Sequence, residues 1–226
     1  MATIWKTLKI GGGGFITGLD ITSDGTQVYR TDTYGAYYWN GSTNVQLLTT
    51  LTMPAADATN GSGEGVYEIK IAPSNTQRFY MTYAGRVFLS ENRGVSWTRT
   101  NFTQVSGSNP NDSFRTFSPK IAIDPINADV VFVGTALNGL FRSLDAGATW
   151  AVVASVPAST GSEGVLIIFD PASSVVSGKT QGLYASSYGN GVYHSTDGGA
   201  NFSITSSTPT THRHIAIDSS GSLYLT

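Results

Sequence analysis

Along most of the chain apolar and polar residues alternate in short runs, and each run stops at a cluster of Gly, Pro, Ser or Asn. Alternation with a period of two sends successive side chains to opposite faces of an extended segment. The pattern therefore predicts half-buried β-strands separated by tight turns. No 3.6-residue apolar period lasts long enough to make a helix, because Gly and Ser interrupt every candidate. Five of the runs fall in one frame: GLDITSDG from Gly18, EIKIAPSN from Glu68, KIAIDPIN from Lys120, LIIFDPAS from Leu166 and HIAIDSSG from His214.

A second marker keeps the same period. SENRGVSW (90–97), SLDAGATW (143–150) and STDGGANF (195–202) begin 53 and 52 residues apart. In each, Ser and Asp can hydrogen-bond the backbone of a tight turn, Gly supplies a positive φ, and the closing aromatic ring serves as a packing wedge. This is the Asp-box turn. The first copy carries Asn92, which can shape the turn but cannot act as an acid, so Asp145 and Asp197 are read as structural and left out of any site. Further strands such as VVFVGTA and GLFRS lie between the markers. Four short antiparallel strands, repeated about every 50 residues, predict an all-β chain: a β-propeller of four-stranded Asp-box blades.

The register places blades at 14–51, 65–102, 118–156 and 164–207, and two strands of another at 212–226. That is about four and a half blades of an expected seven in a single incomplete domain. IWKTLKI (4–10) reads as an outer strand that closes the ring on inner strands from elsewhere. Those come from blades beyond residue 226 or, in a minimal five-bladed ring, from the last strands; the first is favoured because the smaller ring lacks one strand. An open ring leaves apolar blade faces uncovered, so a longer protein is expected.

Composition narrows the partners. Charged residues are 12% of the 226, and 13 Lys and Arg against 15 Asp and Glu give a net charge of −2. No basic field attracts phosphate backbones or anionic lipid, so neither nucleic acid nor membrane is an expected partner. Cysteine is absent, which removes disulfides and thiolate chemistry. Met1 to Lys6 lacks the blocks of a secretion signal, so a secreted protein would carry its signal outside this sequence.

The densest chemical cluster is Arg30-Thr31-Asp32-Thr33-Tyr34-Gly35-Ala36-Tyr37-Tyr38-Trp39, led by the glycine run 11–14. Sugar rings stack their apolar faces on aromatic side chains, and glycosidic cleavage needs carboxylates beside the bond, so an acid among aromatic rings suits a saccharide cleft. The same residues also read as alternate strand positions packed in a blade, with Asp32 capping a turn. Other candidates are poorer. The glycine run lacks the Lys-Ser/Thr of a phosphate loop. His212 and His214 have no third ligand nearby, so no metal is assigned. Asn-x-Ser/Thr at Asn40, Asn101, Asn111 and Asn201 is ordinary in a chain rich in these residues. The scattered arginines do not form the triplet that a sialidase requires.

GGGGFITGLDITSDGTQVYRTDTYGAYYW resembles the opening of glycoside hydrolase family 74, the xyloglucanase and oligoxyloglucan hydrolase family. There a glycine run leads to an R-T-D-x-G-G-A-Y-x-W segment. EGVLIIFDPASS, GKTQGLYASSYGNGVYHSTDGGANF and THRHIAIDSSGSLYLT are similar to later parts of its first propeller. The chain departs from that pattern in T-Y-G, in Tyr38 where the family has Arg, and in the third blade's lead-in, NPNDSFRTFSPKIAID. In the family two seven-bladed propellers face each other across the polysaccharide, and hydrolysis proceeds with inversion through one aspartate from each. The resemblance implies that Asp32 is the general base and that the general acid lies outside this chain. It also implies a polysaccharide substrate, remaining blades or a second propeller as partners, no cofactor, and an extracellular location. Tyr34, Tyr37, Tyr38 and Trp39 are the candidates for sugar stacking, although strand alternation sends some of them into the blade. The alternative is a non-catalytic Asp-box propeller that serves as a glycan- or protein-binding scaffold.

Overall fold

The computed structural model describes residues 14–57, 64–104, 111–205 and 209–226. The strand expected at 4–10 lies outside them. The first sheet is β1 (Ile16–Ile21), β2 (Gln27–Thr31), β3 (Tyr34–Trp39) and β4 (Asn44–Gln46), with β5 (Glu64–Gly65) added parallel to the start of β3. The second is β6 (Glu68–Ala72), β7 (Asn75–Tyr83), β8 (Arg86–Ser90) and β9 (Thr98–Arg99). The third is β10 (Ile121–Ile123), β11 (Val131–Gly134), β12 (Leu140–Ser143) and β13 (Ala151–Val152). The fourth sheet opens with β14 (Val165–Phe169). A separate hairpin, β15 (Val175–Val176) and β16 (Lys179–Thr180), interrupts it before β17 (Leu183–Ser187), β18 (Gly191–Ser195) and β19 (Ser203–Ile204). The pair β20 (Ile215–Ile217) and β21 (Leu223–Leu225) follows.

Apart from the parallel β5, all four sheets are antiparallel meanders, and their first strands, followed by β20 of the last pair, lie side by side in the order β1, β6, β10, β14, β20. This is the radial arrangement of propeller blades. The described residues contain one short 3-10 turn, Ala55–Asp57, and no helix long and apolar enough to cross a membrane.

Strand alternation explains how the sheets stack. Phe79 and Met81 of β7 join the core with Val28 and Ala36 of the first sheet, whereas Tyr80 between them packs with Val131 and Val133 of the third. Phe132 in turn packs against Val165 and Ile167 of the fourth, and Leu166 turns the other way toward Ile215. An inner sheet therefore buries both faces. Each large side chain so covered contributes roughly 1.5–3 kcal/mol.

The Asp boxes set the spacing between sheets. In the third box the Ser195 hydroxyl donates to Asp197 (2.9 Å) and accepts from the amide of Gly199 (2.9 Å), while Asp197 accepts from the Asn201 amide (2.9 Å). The boxes at Ser143 and Ser90 repeat this pattern, with Asn92 replacing Asp in the latter. Hydrogen bonds from the Thr149 side chain and backbone hold the Asp145 carboxyl below its usual range. These carboxylates therefore shape turns. Gly199 combines φ +75° with close approach to the preceding sheet: a Cβ there would lie 2.3 Å from Phe132 Cζ. Gly147 and Gly94 approach Thr100 and Leu47 in the same manner.

Gly199→Ala combines backbone strain with overpacking, and a loss of about 2 kcal/mol or more is expected. Urea unfolding checks it: a midpoint within error of the parent's would remove the spacing role.

Candidate active site

With the meander order fixed, the β2–β3 turn and the loops joining successive sheets emerge at one end of the strands. The Asp boxes emerge at the other. Asp32 occupies the β2–β3 turn, half-exposed. Its Oδ1 accepts from the Phe15 amide (2.9 Å) and the Thr33 hydroxyl (3.0 Å), and its own amide donates to the Phe15 carbonyl (3.1 Å). Among the described residues Oδ2 has no hydrogen-bond partner and remains open to a ligand or water. Thr31 sets the turn, accepting from the Tyr34 amide and donating to the Gly35 carbonyl. Gly65 presses against the turn from the next loop, where a Cβ would lie 2.3 Å from the Asp32 carbonyl oxygen. Only glycine permits that approach.

The aromatic candidates separate. Tyr34 stands beside Asp32 and is 37% exposed. Tyr37 is buried, stacked on Tyr29 at 5.2 Å between ring centres, and burial pushes its phenol up. Tyr38 turns toward the second sheet, meeting Phe79 at 6.0 Å and accepting from Arg93 Nη1 (3.2 Å). Trp39 ends the strand, about 16 Å from Tyr34 at strand rise, and pairs across it with Gln27. Of the four, only Tyr34 is at the Asp32 end.

Behind the turn, Arg30 is fully buried. Its Nε donates to Glu68 Oε1 (3.1 Å) and its Nη1 to Thr17 Oγ1 (3.1 Å) and the Arg115 carbonyl (2.8 Å). Glu68 also accepts from the Ser118 hydroxyl (2.9 Å) and the Lys120 amide (3.0 Å). Burial pushes its carboxyl up, but Arg30, Lys70 and these hydrogen bonds outweigh that and keep it low. The segment 111–119 crosses the inner ends of the sheets here. Lys120 Nζ donates to Tyr67 Oη (2.5 Å), the Ser118 carbonyl accepts from the Ile215 amide, and Arg213 lies over the Phe117 ring. Arg115 Cζ sits 5.5 Å over the ring of Phe15, which is 57% exposed beside Asp32.

No protein-family model matches the chain. It is 32% identical to a xyloglucanase of a Paenibacillus species, over 98% of this chain and 24% of that protein. It is 30% identical to a xyloglucanase of Acetivibrio thermocellus, over 98% of this chain and 30% of the relative. The structure superimposes on the GH74 xyloglucanase of Xanthomonas campestris with a TM-score of 0.80 at 28% identity, covering 98% of this chain and 35% of that one. The chain is similar to glycoside hydrolase family 74. The GH74 enzyme of Niastella koreensis gives the same result, with a TM-score of 0.78 at 29% identity, over 96% of this chain and 34% of that one. The chain thus spans about a quarter to a third of the length of the family 74 proteins it matches.

Sequence reasoning singled out Asp32 and Tyr34 but passed over Phe15 and Arg115, which contacts far apart in the sequence bring to the same turn. Phe15 directly after the glycine run was the available signal. His212 is buried with Nδ1 2.7 Å from Ser186 Oγ, whereas His214 is exposed, so the two do not converge. Among the described residues no group of three or more His, Cys, Asp and Glu could hold a metal.

Lys120 is 1% exposed, and burial pushes its ammonium down to about 7, with Glu68 opposing and Arg30 reinforcing the shift. An unfolded lysine keeps its proton to about pH 10.4. Between these values the unfolded chain binds the extra proton, so stability rises with pH, by up to about 1.4 kcal/mol per unit. Thermal melts from pH 7 to 9 should show this rise in the parent and a flatter profile in Lys120→Met. Equal slopes would refute the assignment.

Proposed function

We propose that this chain is the part of an inverting glycoside hydrolase, acting on xyloglucan or a related β-1,4-glucan, that carries the general base Asp32. The observation behind this reading is the half-exposed carboxylate, with one oxygen fixed by Phe15 and Thr33 and the other open. Such a group accepts a proton from water as the water attacks the anomeric carbon. A second carboxyl, roughly 6.5–9.5 Å away, protonates the departing glycosidic oxygen. That acid comes from outside this chain. Tyr34, and Phe15 beside it, offer aromatic faces for a sugar ring. Tyr37, Tyr38 and Trp39 support the blade and its far end in this reading. A polymeric substrate places the protein outside the cell.

Two apolar faces favour further blades or a second propeller as partners. Asp20 of β1 faces the second sheet, accepting from Lys70 Nζ (3.0 Å), so its neighbours Leu19 and Ile21 face away, and both are exposed. Tyr224 is exposed on the other side of the β20–β21 pair from Leu223 and Leu225, which pack inward.

In the protein as its gene encodes it, Asp32→Asn should lower xyloglucan hydrolysis about 10²–10⁴-fold while leaving binding of xyloglucan oligosaccharides measurable by calorimetry. Hydrolysis at the parent rate would overturn the assignment. Oligosaccharide binding without hydrolysis in the parent itself would favour the scaffold reading.

A further inference from the structure

Arg30 at the end of β2 and Asp32 in the turn that follows take hold of the same distant segment by two routes. Arg30 Nη1 donates to the Arg115 carbonyl (2.8 Å). Asp32 exchanges two hydrogen bonds with the Phe15 backbone, and the Phe15 ring is capped by the Arg115 guanidinium, 5.5 Å from its centre. The circuit closes on itself: Arg30, Arg115, Phe15, Asp32 and back along the chain. Arg115 is in turn pinned locally, its Nη1 donating to the carbonyls of Asn111 (3.1 Å) and Asp112 (3.0 Å).

We infer that Arg115 is a positioning residue for Asp32 and acts through Phe15. The Phe15 side chain is 57% exposed, and the Arg115 guanidinium lies over its ring. The Phe15 amide is one of two donors that fix Oδ1, and the other, Thr33, sits on the same turn and moves with it. Phe15, which leads into β1 beside β2, is therefore the donor from outside the turn that orients the carboxylate. A cation over an aromatic face is held there by the ring's quadrupole, weakly where exposed and more strongly when desolvated. That is enough to bias one ring position without making the fold depend on it. Because a displacement of about 1 Å at a reacting group can lower a rate 10²-fold, a contact of this size reaches the chemistry.

The inference depends on the general-base reading of Asp32 for its effect on rate, but not for its effect on Phe15, and two measurements keep these apart. The first is amide hydrogen exchange at Phe15 in the full chain. Arg115→Ala should raise its rate about two- to fivefold, with the amides of β7 and β11 unchanged, and Arg115→Lys, which keeps a cation over the ring, should give an intermediate value. The second is xyloglucan hydrolysis by the same variants in the protein as its gene encodes it. Arg115→Ala should lower kcat about tenfold, with a smaller rise in KM because Phe15 also faces the sugar, and Arg115→Lys should recover part of the loss in kcat. Unchanged Phe15 exchange in Arg115→Ala overturns the inference whatever happens to activity. So does a loss in Arg115→Ala that appears in KM alone. Faster Phe15 exchange in a protein whose parent and Asp32→Asn forms are equally active upholds the contact and refutes the general base instead.

Discussion

A four-stranded sheet with large apolar side chains on both faces is insoluble by itself, and every other feature of this molecule follows from the need to cover both. Tyr80 and its neighbours Phe79 and Met81 show the requirement within one strand, since they enter two different cores. Coverage works only if adjacent sheets meet at a fixed distance. The box glycines provide that distance because they place bare backbone where a methyl group would collide with Phe132, Thr100 or Leu47. The Ser and the Asp or Asn of each box then accept from backbone amides of the turn that carries the glycine, and a further box amide, that of Arg93, Ala146 or Gly198, donates to the carbonyl of Gln77, Asp129 or Gln181 earlier in the same blade.

The inner ends of the sheets solve a different problem. They converge, and at the Asp32 end they are polar and almost dry: Arg30, Glu68 and Lys120 are all buried. Buried charges are tolerable when each finds its complement and its remaining hydrogen bonds, and Glu68 does so with three donors from three residues. The crossing segment 111–119 supplies the carbonyls and the Ser118 hydroxyl that complete this network. The Asp32 carboxylate thus adjoins a network of buried charges that is well but not completely paired, since Arg30 Nη2 and Arg115 Nε are buried without a hydrogen-bond partner among the described residues.

Much of the fold was legible in the sequence because its determinants are local. A box is recognisable from eight consecutive residues, and even the exchange of Asp for Asn92 was readable, since the hydrogen-bonding role survives it. Strand alternation likewise shows which side chains share a face. It does not show what covers that face, and so the cluster 30–39 did not reveal that Tyr37 would be stacked away on Tyr29 while Tyr34 stayed open. The contribution of Phe15 and Arg115 was less visible still, because it depends on where a long connection between the second and third sheets runs. The β15–β16 hairpin was equally hidden: Thr180, beside Gly178, is fixed by Asp124 of the preceding sheet, with its amide and hydroxyl donating at 2.9 and 2.7 Å.

The bond from Arg30 to the Arg115 carbonyl spans 85 residues of chain. During synthesis the first sheet emerges long before that acceptor exists, and Glu68, its ionic partner, also arrives later. A guanidinium cannot leave water until its complement is present, so the first sheet must wait, incompletely dried at its inner end, until the third begins to form. The blades are laid down in sequence, yet the oldest of them is finished by one of the younger.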